Sequence, residues 1–156
     1  MTRIWITNGT PTMPGLLNPV TAACDNGYVP DEARILSNPG VADSVAAASE
    51  MFETIIDAYG GDATVSKHSL ETETDFGGII EFYQSTIEAA HESGDTIAVD
   101  VTPGRKFMSA IAFQAGFRFG ADHVYYFYRK SGAYYGDLYA EIPRTATELI
   151  DFTEVM

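Results

Sequence analysis

Cysteine is nearly absent: Cys24 stands alone in the chain. It can close no internal disulfide and has no second thiolate with which to hold a metal, so it reads as a half-buried helix residue. Histidine is scarce as well. His68, His91 and His123 fall in different elements, with no cysteine partner and no His-x-x-x-His spacing, which speaks against a metal site. Long apolar runs are missing: no window approaches the roughly 18 uncharged residues of a membrane span. Arg3 is followed by a short strand-like run without a small-residue cleavage site, so no secretory leader is read and a cytoplasmic chain is expected.

Positive charge is also in short supply. Nine Lys and Arg face 22 Asp and Glu, for a net charge of −13. Non-specific duplex binding rests on neutralising phosphates with cations, so duplex DNA is excluded as a partner; any nucleic-acid ligand must be small and held locally. Dispersed acids with few lysines suit a surface adapted to high salt, the alternative being ordinary tuning of solubility by acidic charge. Two nucleotide fingerprints are absent too. No Gly-x-Gly-x-x-Gly follows a strand, and no P-loop spacing occurs.

What remains is enough for one packed domain: 46% of the 156 residues are hydrophobic and 12% aromatic. Strand and helix signals alternate, as in a doubly wound α/β domain. Arg3 to Thr7 predicts a buried first strand, punctuated by Asn8-Gly9-Thr10-Pro11, with a helix starting near Met13-Pro14. Glu32 to Ser37 predicts a second strand. Val45, Ala48, Phe52, Ile55 and Tyr59 recur at helical spacing until Gly60-Gly61. Ala63 to His68 alternates weakly as a third strand. Asp75 is placed to cap a helix whose face Phe76, Ile79, Ile80, Tyr83, Ile87 and Ala90 turns to the core. Thr96 to Val99 is continuous and apolar, as in a central parallel strand. Gly104 to Phe119 is apolar nearly all round, which predicts a sandwiched helix. Val124–Tyr128 and Tyr134–Ile142 read as a C-terminal antiparallel hairpin turning at Lys130-Ser131-Gly132. This divides the chain into a domain over 1–144 and a tail over 145–156, a short helix or a linker.

In open parallel sheets ligands sit beyond the carboxyl ends of the strands, where strand order reverses. Two loops qualify. One is Thr7-Asn8-Gly9-Thr10-Pro11. The other, Asp100-Val101-Thr102-Pro103-Gly104-Arg105-Lys106, leaves the central strand and opens a helix. Helix N-termini offer unpaired N–H groups and partial positive charge, Gly104 permits close backbone approach, and Arg105 and Lys106 add adjacent cations, so the turn suits a phosphate. The alternative is a loop whose cations pair with surface carboxylates.

Asp100 to Ala110 resembles the motif of the CARF domains, CRISPR-associated Rossmann-like sensors, in which Asp/Asn-x-Thr-x-Gly-x-Lys-x-Met follows the fourth strand. Asn8-Gly9-Thr10-Pro11, with Leu16-Leu17-Asn18-Pro19 behind it, is similar to that family's other ligand-contacting segment. Pro103 departs from the pattern, where glycine is frequent. The resemblance spans roughly residues 1 to 142 and implies a Rossmann-like, mostly parallel sheet. It also implies a homodimer whose two-fold axis passes through the ligand pocket, and a cyclic oligoadenylate made during type III CRISPR interference, an antiviral defence. Carried over, Thr102, Gly104, Arg105 and Lys106 would hold phosphates and 2′-hydroxyls, with Asn8, Gly9 and Thr10 on the opposite wall. No cofactor is implied.

Two functions follow from this resemblance. One is a sensor that passes the signal to an effector domain or protein. The other is a metal-independent ring nuclease, in which a ribose 2′-OH attacks its own phosphate in line, Lys106 supplies the cation, and Thr10 or Thr7 positions. A Rossmann-like enzyme acting on a mononucleotide would need a base or metal cluster that the sequence lacks. Asp100 is expected to orient its turn by bonding backbone N–H groups. Tyr125 to Tyr128, Tyr134 and Tyr135 read first as strand residues and second as base-stacking ones. Glu71, Glu73 and Asp75 read as a solvated loop.

Overall fold

A computed structural model describes residues 1–156. In chain order the elements are β1 (Arg3–Asn8), α1 (Met13–Asp25), β2 (Glu32–Ser37), α2 (Ala42–Ala58), β3 (Thr64–Ser69), α3 (Phe76–Glu92), β4 (Thr96–Asp100), α4 (Lys106–Phe119), β5 (His123–Arg129), β6 (Thr147–Asp151) and α5 (Phe152–Val155). One sheet runs β3-β2-β1-β4-β5-β6; its neighbours pair in parallel except β6, which is antiparallel to β5. The chain winds outward from β1 to β3, then returns to lay β4 against the other side of β1. That reversal is the switch point of a doubly wound α/β sheet.

Period-two alternation along the central strands feeds two separate cores. Ile4, Ile6, Ile97, Val99 and Val124 pack with α3 and α4 on one face. Trp5, Ala33, Ile35 and Ala98 pack with α1 and α2 on the other. Trp5 is fully buried, its ring stacked on Tyr125 with centroids 5.9 Å apart, and its Nε1 lacks a hydrogen-bond partner. Shape and area hold it there against the roughly 1–3 kcal/mol of an unmet donor. Cys24 is buried in the same core, and burial pushes its thiol up to about 11, so it stays protonated.

Helix boundaries follow local chemistry. Pro14 sits in the first turn of α1, and Asp75 caps α3 by accepting from Gly78 N at 2.9 Å. No helix is long and apolar enough to cross a membrane.

Three sequence expectations are corrected. The C-terminal antiparallel pair exists, but the partner of β5 is Thr147–Asp151, within the expected tail, and not Tyr134–Ile142. Gly136 at φ +84° and short 3-10 turns at Gly132–Tyr134 and Tyr139–Glu141 keep that aromatic stretch from extending. Phe76 and Ile80 are 50% and 43% exposed, although they share the helical period of the buried Ile79, Tyr83 and Ile87. They lie along the seam with α4, where Phe76 meets Phe107 edge-on at 5.2 Å. The helix α4 is not sandwiched: Met108, Ala112, Ala115 and Gly116 are buried, while its outer side is open.

Candidate functional site at the strand-order switch

Both loops named from the sequence lie at the carboxyl ends of β1 and β4, on the two sides of the switch point. They are tied together from below by a buried polar network. Asn8 Nδ2 donates to the Pro103 carbonyl at 3.4 Å, and Asn8 Oδ1 accepts from the Tyr83 hydroxyl of α3 at 2.7 Å. Ser109 Oγ donates to the same Pro103 carbonyl at 3.3 Å. Thr7 Oγ1 donates to Asp100 Oδ2 at 2.9 Å, and Thr102 N donates to Asp100 Oδ1 at 3.0 Å. Asp100 therefore orients its turn, as the sequence suggested. It is wholly buried, and burial pushes its carboxyl up to about 7 despite the Thr102 and Thr7 donors that pull it down.

Above this network two clefts open side by side. One, of about 330 Å3, is bounded by Thr10, Thr102, Gly104, Phe127, Arg129 and Tyr135, among others. The second, of about 280 Å3, includes Gly9, Thr10, Asn38, Glu73, Gly104 and Arg105. Thr10 and Gly104 belong to both. Gly104 has φ +97°, and a Cβ there would stand 2.9 Å from Asn8 Cβ, so this position requires glycine twice over. Arg105 begins α4 without any side-chain cap, which leaves the amides of the first turn open to an anion. Lys106 is exposed. Arg105 is engaged instead: its Nε lies 3.1 Å from Glu73 Oε2, with both side chains substantially in solvent.

Thr102 thus lines the first cleft and Gly9 and Arg105 the second, Thr10 and Gly104 stand between them, and Lys106 lies on the adjoining first turn of α4 outside both linings. Two other expectations change. Asn8 is fully buried with both polar atoms occupied, so its side chain braces the wall from behind. Thr7 is equally buried and bonded to Asp100, which removes it as a positioning hydroxyl. Two residues here were not singled out by the sequence: Glu73, which reads as solvated loop, and Tyr83, which reads as core. Tyr135, read first as a strand residue and second as a base-stacking one, borders the first cleft. The largest depression, about 750 Å3 beside β3 and α3, is open and lined by charges of both signs, such as Arg34, Lys67, Glu32 and Glu81, with no single convergent donor set.

No family model and no curated protein matches the chain. Solved structures do. A type III CRISPR defence DNA nuclease activated by cyclic oligoadenylate superposes over 83% of this chain with a TM-score of 0.62 at 16% identity. Csm6 of Enterococcus italicus, bound to cyclic hexa-2′-fluoro-hexa-dAMP, matches 96% of the chain with a TM-score of 0.63 at 13% identity. Can2 from Sulfobacillus thermosulfidooxidans, in complex with cyclic tetra-adenylate, matches 80% with a TM-score of 0.55 at 14% identity. The chain spans 19%, 42% and 31% of the length of those three chains respectively. The fold is therefore the Rossmann-like α/β fold that parts of these three proteins share, as the resemblance implied.

Proposed function

We propose that this chain is a CRISPR-associated sensor domain that binds a cyclic oligoadenylate across the two-fold axis of a homodimer. One observation carries the reading: the uncapped N-terminus of α4, with Gly104, Arg105 and Lys106, opens at the β1/β4 switch point of a strongly acidic chain. Anions are recognised where amides and cations converge, and here they converge at one turn. The fold is shared with proteins whose structures hold cyclic tetra-adenylate or a cyclic hexanucleotide. A symmetric dimer suits a ring ligand because each half-site repeats the same contacts. The exposed Phe76 and Ile80, with the half-buried Phe107 against Phe76 beside the anion-binding turn, form the face offered to the second copy. The domain acts in the cytoplasm and signals to an effector domain or protein. Its acidic surface suits high salt, where stability should rise.

A metal-independent ring nuclease is the second reading, favoured by Thr10 and Gly104 lining both clefts. A phosphodiester running from one cleft to the other passes them. There a ribose 2′-hydroxyl would attack the adjacent phosphorus and give up its proton to solvent, closing a 2′,3′-cyclic phosphate while the P–O5′ bond breaks and the 5′-oxygen leaves as a hydroxyl protonated by solvent, Lys106 offsetting the developing charge. Incubation with labelled cyclic tetra- and hexa-adenylate in EDTA separates the readings. Intact bound ring marks the sensor, linear product marks the nuclease, and no binding by a dimeric protein refutes both.

A further inference from the structure

The connection from Lys130 to Ala146 does more than join β5 to β6. It is pinned to α1 by Asn18, whose Nδ2 donates to the Asp137 carbonyl at 2.8 Å and whose Oδ1 accepts from Tyr139 N at 2.8 Å. Between the end of β5 and that pin stands Tyr135, which is 74% exposed. Its ring does not turn inward to a core. Arg129 lies over it instead, with the guanidinium carbon 4.8 Å from the ring centroid, while Arg129 Nη1 reaches the Tyr134 carbonyl at 3.5 Å. A large aromatic ring is thus held in solvent with one face covered by a cation and the other free. That ring borders the same cleft as Thr10, Thr102 and Gly104.

We propose that Tyr135, backed by Arg129, is a stacking shelf for one purine base of a ligand whose phosphate rests on the first turn of α4. The proposal rests on the function given above and adds a base-recognition site to its phosphate site. Every nucleobase presents a π-face, and an aromatic ring with an Arg layer behind it binds that face without edge hydrogen bonds. The cleft is of about 330 Å3, near the lower end, roughly 300 Å3, of small-ligand sites, so it admits one nucleoside unit and not a whole ring. The other bases would lie over the second cleft or over the partner copy.

Calorimetry with cyclic tetra-adenylate on the wild type, Lys106→Ala, Tyr135→Phe and Tyr135→Ala tests this. Tyr135 is so exposed that its truncation leaves the fold intact, which a melting curve verifies. Tyr135→Ala should lose roughly 5- to 150-fold in affinity, the span of stacking on one aromatic side chain, while Tyr135→Phe holds within about twofold. If Lys106→Ala weakens binding and Tyr135→Ala does not, the shelf is wrong and the phosphate site stands. If the wild type binds no ring, the function above is wrong, and the shelf is decided by adenosine 5′-monophosphate against ribose 5-phosphate. A preference for the nucleotide that Tyr135→Ala abolishes supports the shelf; equal binding of the two overturns it.

Discussion

Glu73 and Arg105 grip each other at the mouth of the smaller cleft, Arg105 Nε and Nη2 donating to the two carboxylate oxygens at 3.1 and 3.3 Å. A carboxylate presents two oxygens much as a phosphate does, so Glu73 occupies the place an incoming phosphate would take on Arg105. Both side chains are well exposed, which makes the pair weak, and a ligand phosphate that takes the same edge of the guanidinium must displace Glu73. Glu73→Gln should therefore tighten cyclic tetra-adenylate binding by about 0.2–1 kcal/mol, up to roughly fivefold, with the gain shrinking as salt is added. Unchanged affinity at low salt would show that Arg105 keeps its carboxylate when ligand binds.

Lys106 is the exposed cation on the same turn, with no carboxylate within ion-pair distance. Replacing it by Ala should cost about 1.5–3 kcal/mol of ligand binding, the scale of one charge-assisted hydrogen bond, and leave the melting temperature unchanged. Wild-type affinity in a folded Lys106→Ala protein would move the site elsewhere.

Asp100 makes stability depend on pH in a specified direction. Its folded pKa, about 7, lies above its ordinary value of 3.8. Between those values the folded chain keeps a proton that the unfolded chain has lost, so stability falls as pH rises through the window and levels off above it. Asp100→Asn preserves volume and leaves an oxygen for the Thr102 amide or Thr7 hydroxyl. Melting curves from about pH 5 to about pH 8 should show a flatter profile for the variant, and stability at least equal to wild type at the upper end. An equally steep slope in the variant would place its origin in another group.

Gly104→Ala combines a left-handed backbone with a Cβ forced against Asn8. The expected cost is about 1–3 kcal/mol in denaturant unfolding, together with weakened ligand binding, because the first turn of α4 must shift. Normal stability with normal binding would mean that the loop relaxes freely.

Much of this was legible in the sequence where one residue type has one physical meaning. The β1 and β4 runs are apolar and end in Gly or Pro, so both the strands and the loops beyond them could be placed. The cations of Arg105 and Lys106 stood out because the chain has so few. Other features could not be read, for identifiable reasons. Helical periodicity finds an apolar stripe but does not say whether a sheet or a neighbouring helix receives it, which is how Phe76 and Ile80 were assigned to the core. The aromatics from Tyr134 onward carry strand propensity, while Thr147-Glu148-Leu149-Ile150-Asp151 looks mixed. Only pairing with β5 makes the latter a strand. The Glu73–Arg105 pair joins loops 32 residues apart, a separation no local pattern reports.

The Pro103 carbonyl accepts from both Asn8 Nδ2 and Ser109 Oγ, and so fixes the peptide plane between Pro103 and Gly104 from two sides. These two bonds, at 3.4 and 3.3 Å, restrain rotation of that plane, so the turn is largely set before any ligand arrives. The crevice then gives up little conformational freedom on binding, and most of the ordering cost falls on the ligand. A ring, already closed and short of freedom, has less to lose there than a linear strand of the same bases. Selection for cyclic over linear nucleotides would in that case arise from entropy at a rigid turn, without any contact that recognises the closure itself.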